Sequence, residues 1–351
     1  MKRAKRLMVL LLCSLMLSGI TGCGKAGADT KLVLTTGFKK NEIFRIETMS
    51  CTLPEIMVYL TNAQNQYESV YGKEIWETSL NDVTLEESVK ETVLAQLAQI
   101  KTMNLLAKQY DVSLNEQEKE TVAAAAAEYY STLNETERES MQVTQEVIDH
   151  LYEEFVLANK VYKHIIRDIN PEISDDEART ITVQHILIKT YTLDGSGSKT
   201  EYTESAREDA RKRAEEILKL AKQENADFEE LALAYSEGEG VTWSFGKGET
   251  AENFEEAAFQ LETGEISDII ETEYGYHIIK CINTFNREET DANKIKIVEK
   301  RKEEVFGQEY DAFVATLTRT LNEDLWKSIS FIENEEVNTR DFFDIYNKYF
   351  S

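Results

Sequence analysis

Val183-Gln184-His185-Ile186-Leu187-Ile188 and Gly275-Tyr276-His277-Ile278-Ile279-Lys280 carry nearly the same message far apart in the chain. Each sets an imidazole in a short run rich in β-branched residues, the pattern of a half-buried strand. The chain holds only four histidines, so two in matching contexts stand above background. If the strands are neighbours in one sheet, the two rings face each other inside a small sheet or barrel.

The text around them changes period repeatedly. Thr182 to Lys189 reads as a strand and Asp194 to Ser198 as a flexible loop. Glu204 to Lys222 is an amphipathic helix, and Asp227 opens a second that ends near Tyr235-Ser236. Gly238, Gly240, Gly246 and Gly248 mark a glycine-rich loop around Trp243 and Phe245. Phe254 to Phe259 is a short helix, and Glu265 to Glu271 and Tyr274 to Cys281 are strands. This order spans about a hundred residues, the size of a compact α+β domain.

The flanks are helical. Pro54 suits a first turn, followed by Ile56, Leu60, Ala63 and Tyr67 at helical spacing. Thr84 with Glu87 makes a capping box, and behind it Val89, Val93, Leu97, Ile100, Met103 and Leu106 form one apolar stripe. Ser113 with Glu116 is expected to start a third helix, whose run Ala123 to Ala127 is expected to pack closely. A fourth runs from about Gln145 to Arg167, with Val147, Leu151, Phe155, Ala158 and Tyr162 on one face. Its His150 and His164 have no partner at ligand spacing and read as surface or edge residues. Asn170-Pro171 breaks the helical text. Beyond Asn286 lie Phe306, Tyr310, Phe313, Leu317 and Leu321 at helical spacing, an expected strand over 326–332, and an aromatic-rich helix over 341–350. These elements are too thin to close a core alone, so 286–351 is expected to pack onto 40–170. The middle domain is then an insertion in one helical lobe.

The N-terminus carries an address. Met1 to Arg6 hold four positive charges, and Leu7 to Leu17 form an apolar run too short to span a membrane. This reads as a secretory signal peptide. Ile20-Thr21-Gly22-Cys23 resembles a bacterial lipobox, which implies a diacylated Cys23 at the mature N-terminus and a lipid anchor on the outer face of the cell membrane. Removing residues 1–22 leaves 35 basic against 65 acidic side chains, a net charge of −30. Such a surface is repelled by nucleic acid and by anionic lipid, so nucleic-acid binding is disfavoured. Cys51 and Cys281 have no metal-like spacing; a bridge is conceivable in an oxidising compartment, and free buried thiols are the default reading. The sequence points to no cofactor and no metal.

The motifs converge on one family. Val183-Gln184-His185-Ile186-Leu187, Asp227-Phe228-Glu229-Glu230-Leu231-Ala232, Tyr235-Ser236, Phe254-Glu255-Glu256-Ala257-Ala258-Phe259, Gly264-Glu265-Ile266-Ser267 and Gly275-Tyr276-His277-Ile278-Ile279 resemble the parvulin family of peptidyl-prolyl isomerases, in the right order over about residues 180–284. With a lipobox and helical flanks, the chain is similar to the PrsA-type foldase lipoproteins of Gram-positive bacteria, and its lobe resembles that of the chaperone SurA. The implied fold is α+β, a parvulin-like domain inserted in a mainly helical chaperone lobe built from both chain ends. The expected divisions are signal peptide 1–22, tether and N-terminal lobe 23–178, parvulin-like domain 179–285, and C-terminal helices 286–351.

The resemblance also implies a site. His185, His277 and Thr272 form a hydrogen-bonded catalytic floor, while Phe254 and Thr250 line a proline pocket with Phe245 nearby. Two partly buried rings in contact resist both being charged, so at least one is expected to be neutral at pH 7. The pair also has a structural reading, fixing the sheet through a shared hydrogen bond. Phe259 reads as core and Phe254 as accessible; Trp243 reads equally as a lid or a substrate contact. Lys189 matches a basic position near the family's site and reads as well as a surface lysine.

Three departures stand out. Gly238 stands where the family usually carries Cys or Asp, with Glu237 beside it as a candidate substitute. Thr250 replaces the pocket methionine, and the usual Gly-x-Leu-Gly turn reads Gly240-Val241-Thr242-Trp243. The 191–204 loop has no basic pair to read phosphate. The expected function is a membrane-anchored extracytoplasmic foldase that isomerises X-Pro bonds in unfolded or partly folded exported polypeptides. The alternative is a holdase whose parvulin domain is weak or inactive. Whether the lobe forms a homodimer stays open.

Overall fold

The structure, a computed structural model, describes residues 37–80, 83–195 and 197–350. The expected signal peptide, Cys23 and most of the tether lie outside the described residues. The chain divides into two compact units, one formed by residues up to Asp168 together with those from Glu303 onward, the other by Ile169–Lys302. Among the described residues, no helix is long and apolar enough to cross a membrane.

The first unit opens with an antiparallel pair, β1 (Glu42–Ile46) and β2 (Met49–Thr52), which the sequence reading left unassigned. Then come α1 (Leu53–Tyr71), the two-residue strands β3 (Ser79–Leu80) and β4 (Val83–Thr84), α2 (Leu85–Gln109), α3 (Glu116–Thr132), α4 (Glu135–Met141) and α5 (Gln145–Ile165). The box at Thr84 and Glu87 forms, the Glu87 amide donating to Thr84 Oγ1 at 3.1 Å. The expected start of α3 is corrected: Asn115 and Glu118 form its box instead of Ser113 and Glu116. The later start leaves Leu114 free to bury in the core. Every residue of the α2 stripe is buried. The alanine run is only half as expected: Ala125 and Ala126 are buried, while Ala123, Ala124 and Ala127 face outward.

The second unit begins with the single turn α6 (Asp175–Ala178) and β5 (Thr180–Lys189). The hairpin β6 (Tyr191–Leu193) and β7 (Lys199–Glu201) flanks the expected loop. It continues through α7 (Glu204–Ala221), α8 (Phe228–Tyr235), β8 (Thr242–Gly246), α9 (Glu252–Gln260), β9 (Ile270–Thr272), β10 (Gly275–Asn283) and the part of α10 (Arg287–Val314) up to Lys302. The sheet order is β8-β5-β10-β9, antiparallel throughout. Side chains alternate across it. Ile186, Ile188, Tyr276 and Ile278 pack with α7 and α8 through Ala210, Ala214, Ile217, Phe228 and Ala232. On the opposite face Ile181, Val183, Ile279 and Cys281 pack with Phe245 and, from α9, Phe254 and Ala258.

Three expectations change here. The glycine-rich loop contains a strand, because Trp243 and Phe245 alternate toward one face and pair with Val183 and Ile181. The strand expected over 265–271 shrinks to β9, with Ile266 making only an isolated bridge to Lys280. The unit is also wider than 179–285. The Thr180 amide donates to Thr290 Oγ1, the Asn286 amide donates to Thr180 O, and Arg287 pairs with Asp175, so α6 and the start of α10 belong with β5. Gly275 opens β10 at φ +135°, where an added Cβ would lie 2.1 Å from the Ile188 carbonyl oxygen. Only glycine permits that approach.

The chain then returns to the first unit with β11 (Arg319–Leu321), α11 (Glu323–Lys327) and α12 (Phe342–Phe350). β11 pairs with β1, giving the order β11-β1-β2. The strand expected over 326–332 is absent. Asn322 Oδ1 caps α11 by accepting from the Leu325 amide, and Trp326 and Ile329, three apart, both turn into the core. On α12, Phe342 stacks on Tyr152 at 4.4 Å with the rings 4° from parallel. The two remaining thiols, Cys51 and Cys281, are free and buried.

Candidate active site

β5 and β10 place the two imidazoles. In their register His185 lies opposite Ile279 and His277 opposite Leu187, so the histidines are diagonal neighbours on one sheet face. Their ring centroids are 5.8 Å apart with planes 12° from parallel. His277 is buried, and its Nε2 lies 2.8 Å from Thr272 Oγ1 on β9. The Tyr274 amide donates to the same hydroxyl at 3.1 Å. The Nδ1 atoms of both rings are buried without a hydrogen-bond partner. The floor expected from His185, His277 and Thr272 is therefore corrected in one respect: a single side-chain bond holds it, and the rings stack instead of sharing a proton. Burial lowers the pKa of His185. Burial, with a smaller contribution from His185, lowers that of His277 to about 4. Both shifts favour the neutral ring at pH 7.

α9 supplies the next layer. Phe254 sits edge-on to both histidines, 5.7 Å from His185 and 5.1 Å from His277. Phe245 packs 5.7 Å from Phe254. Phe254 and Phe245 are 3% and 1% exposed, so the accessible pocket wall expected from them is instead core. Phe259, expected to be core, is only half-buried, with the Arg179 guanidinium 4.8 Å over its ring. Phe254, Ala258 and Leu261 share the fully buried face turned to the sheet, and Phe259 packs at the margin of the same cluster, its ring 5.9 Å from Phe245. Above them lies Trp243 of the edge strand β8, 42% exposed, 6.0 Å from Phe254 and 6.4 Å from His185.

Other expected residues sit apart. Thr250 is half-buried, and its hydroxyl reaches only the Ala251 carbonyl, at 3.5 Å. No ring or hydrogen-bond contact joins it to the histidines among the described residues. Glu237 does not substitute for the acid absent at Gly238: its carboxylate accepts from the Lys189 amide at 2.7 Å and pairs with Arg213 at 2.8 Å. At Gly238 itself an added Cβ would meet Leu187 at 3.5 Å, an ordinary contact, so space does not exclude a side chain there. Lys189 lies over the Tyr191 ring at 5.8 Å.

A second titratable cluster lies inside the first unit. Lys101, wholly buried, pairs with Glu55 at 2.5 Å and Glu154 at 2.7 Å, and His150 Nε2 lies 3.0 Å from Glu154. The expectation that His150 has no partner is thus corrected; Glu154 follows it by one helical turn. Glu55, His150 and Glu154 offer ligand atoms within 4.8 Å of one another, but the Lys101 ammonium already stands between the two carboxylates. His164 packs against Tyr110 at 5.4 Å.

The arrangement on the β5–β10 face offers neutral imidazoles, one hydroxyl and a stack of aromatic rings. It suits binding an apolar ring and favouring a less polar, twisted amide over a planar one, rather than attack on a carbonyl. Sequence does not by itself decide between lid and substrate contact for Trp243; its two-residue spacing to Phe245 is the signal that both lie on one strand face.

Residues 185–283 match the family of PPIC-type PPIase domains. The foldase protein PrsA of Geobacillus kaustophilus is 30% identical over 224 residues, covering 63% of this chain and 69% of that protein. PrsA of Caldanaerobacter subterraneus is 27% identical over 283 residues, 75% of this chain and 81% of its own. PrsA of Staphylococcus aureus is 27% identical over 212 residues, and the match covers 64% of that relative's length. With a parvulin-type isomerase domain centred on His185 and His277 and an identity that reaches through most of the Geobacillus protein, this chain belongs to the PrsA family of foldases.

Proposed function

We propose that the protein is a lipid-anchored, extracytoplasmic foldase that accelerates cis–trans isomerisation of X-Pro bonds in exported polypeptides. The observation that carries this reading is the stacked pair of neutral imidazoles beneath Phe254, with Thr272 bonded to His277. The barrier to X-Pro rotation, about 18–20 kcal/mol, comes from amide resonance. Uncatalysed exchange takes tens to hundreds of seconds. A catalyst lowers it by gripping the proline ring, keeping water from the carbonyl, and favouring the twisted amide. Neutral rings and buried aromatics supply such surroundings without a charge that would hold the planar, polar form. His185, His277 and Thr272 are the proposed catalytic floor, backed by the buried rings of Phe254 and Phe245, with Thr250 standing apart from them. The anchor rests on Cys23 and the apolar run before it.

Isomerisation of a proline-containing tetrapeptide by the full chain tests the reading. A rate well above the uncatalysed one, reduced at least tenfold by His277→Gln, is expected; a folded chain without such a rate sinks it. The holdase reading draws on the burial of Phe254 and Phe245 and on the missing acid at Gly238. In that case the chain suppresses aggregation of an unfolded client while leaving proline exchange unchanged.

A further inference from the structure

With His185 half-buried, Trp243 is the exposed ring of the site. It is 42% exposed, whereas His277, Phe254 and Phe245 beneath it are exposed by 5% or less. Its backbone pairs with Val183 on one side only, since β8 is an edge of the sheet. Its indole contacts Phe245, Phe254 and His185, at centroid distances of 5.1, 6.0 and 6.4 Å. A peptide approaching the histidine pair from this face therefore meets the indole before it meets any buried ring. A large exposed aromatic on an edge strand is a poor core residue and a good contact for an apolar ring. Proline is such a ring, and aromatic-lined surfaces recur where proline segments dock.

We propose that Trp243 is the substrate-facing wall of this site, packing its exposed indole face against the proline ring of a bound X-Pro segment. The proposal rests on the isomerase reading and assigns the contact that positions the ring over His185 and Phe254. The indole touches the ring and not the rotating amide, so it grips planar and twisted forms alike. Such uniform binding acts on KM and leaves kcat nearly unchanged.

The test uses the full chain, its Trp243→Ala and Trp243→Phe variants, and a proline tetrapeptide with its alanine counterpart as control. Trp243→Ala is expected to raise KM about tenfold with kcat changed less than about twofold, and Trp243→Phe to raise KM less than about threefold. The proline peptide, and not its alanine counterpart, is expected to shift indole emission in the wild type. The shift should vanish in Trp243→Phe, although Trp76 and Trp326 remain. An unchanged KM in Trp243→Ala, a rise in its kcat/KM, or an emission shift that persists in Trp243→Phe overturns the proposal and leaves the isomerase reading standing. A wild type without isomerase rate whose Trp243 emission still answers the proline peptide overturns the isomerase reading and keeps the contact. Neither rate nor shift overturns both.

Discussion

Single residues set opposite pH responses in the two units. His277 titrates at about 4 in the fold against an ordinary 6.5, so between those values the unfolded chain holds the extra proton. Stability tied to His277 is fully present above pH 6.5 and declines as pH falls toward 4, by on the order of 3 kcal/mol. Segment-resolved hydrogen exchange should show protection of β5 and β10 falling over this window, and His277→Gln should flatten the fall. His150 runs the other way: its hydrogen bond to Glu154 raises its pKa, so its contribution is present below pH 6.5 and fades as pH climbs through the raised value. Beside it, Lys101→Met removes the ammonium between two buried carboxylates, leaving Glu154 only His150 and Glu55 only its hydrogen bonds from Thr52. A loss of about 3–5 kcal/mol is expected for the first unit, read by urea unfolding. The histidine pair was legible in sequence because a polar residue inside a β-branched run is conspicuous. The Lys101 cluster was hidden, because its members come from three helices and a charged residue in helical text reads as surface.

At the scale of elements, the β5–β10 pairing governs the site, and Gly275 governs that pairing. Gly275→Ala imposes a side chain at φ +135° and a Cβ against the Ile188 carbonyl oxygen. The backbone cost alone is about 1–3 kcal/mol, and the clash shifts the register of β10, which carries His277. Loss of isomerase activity together with weakened near-ultraviolet dichroism is expected; an active, fully folded variant contradicts the placement. Helices with a long apolar stripe and a capping box were readable, as α2 shows with Thr84, Glu87 and six buried stripe residues. α3 was displaced because two overlapping boxes compete locally and only burial of Leu114 chooses between them. β8 was missed because its glycines suggest a loop, while its pairing with β5 depends on residues far away in sequence.

At the scale of the whole molecule, the proposed anchor and the proposed isomerase and holdase activities are expected to separate. Cys23→Ser should abolish partition into the detergent phase and leave isomerisation of a short peptide unaltered, as measured on purified protein. If the lobe holds clients by itself, His277→Gln keeps suppressing client aggregation at equal molar ratio while losing proline exchange. Equal loss of both ties them to one site. Sequence alone determined the acidic balance, the α+β class of the middle segment and the identity of its two histidines. These follow from local composition and period, which need no knowledge of distant contacts. Tertiary structure alone decided that Phe254 is core with Phe259 at its margin, that Glu237 is already engaged, and that Trp243 faces solvent over the rings. Burial and partnership depend on which faces meet across the sheet, and that is settled only when strands remote in sequence come into register.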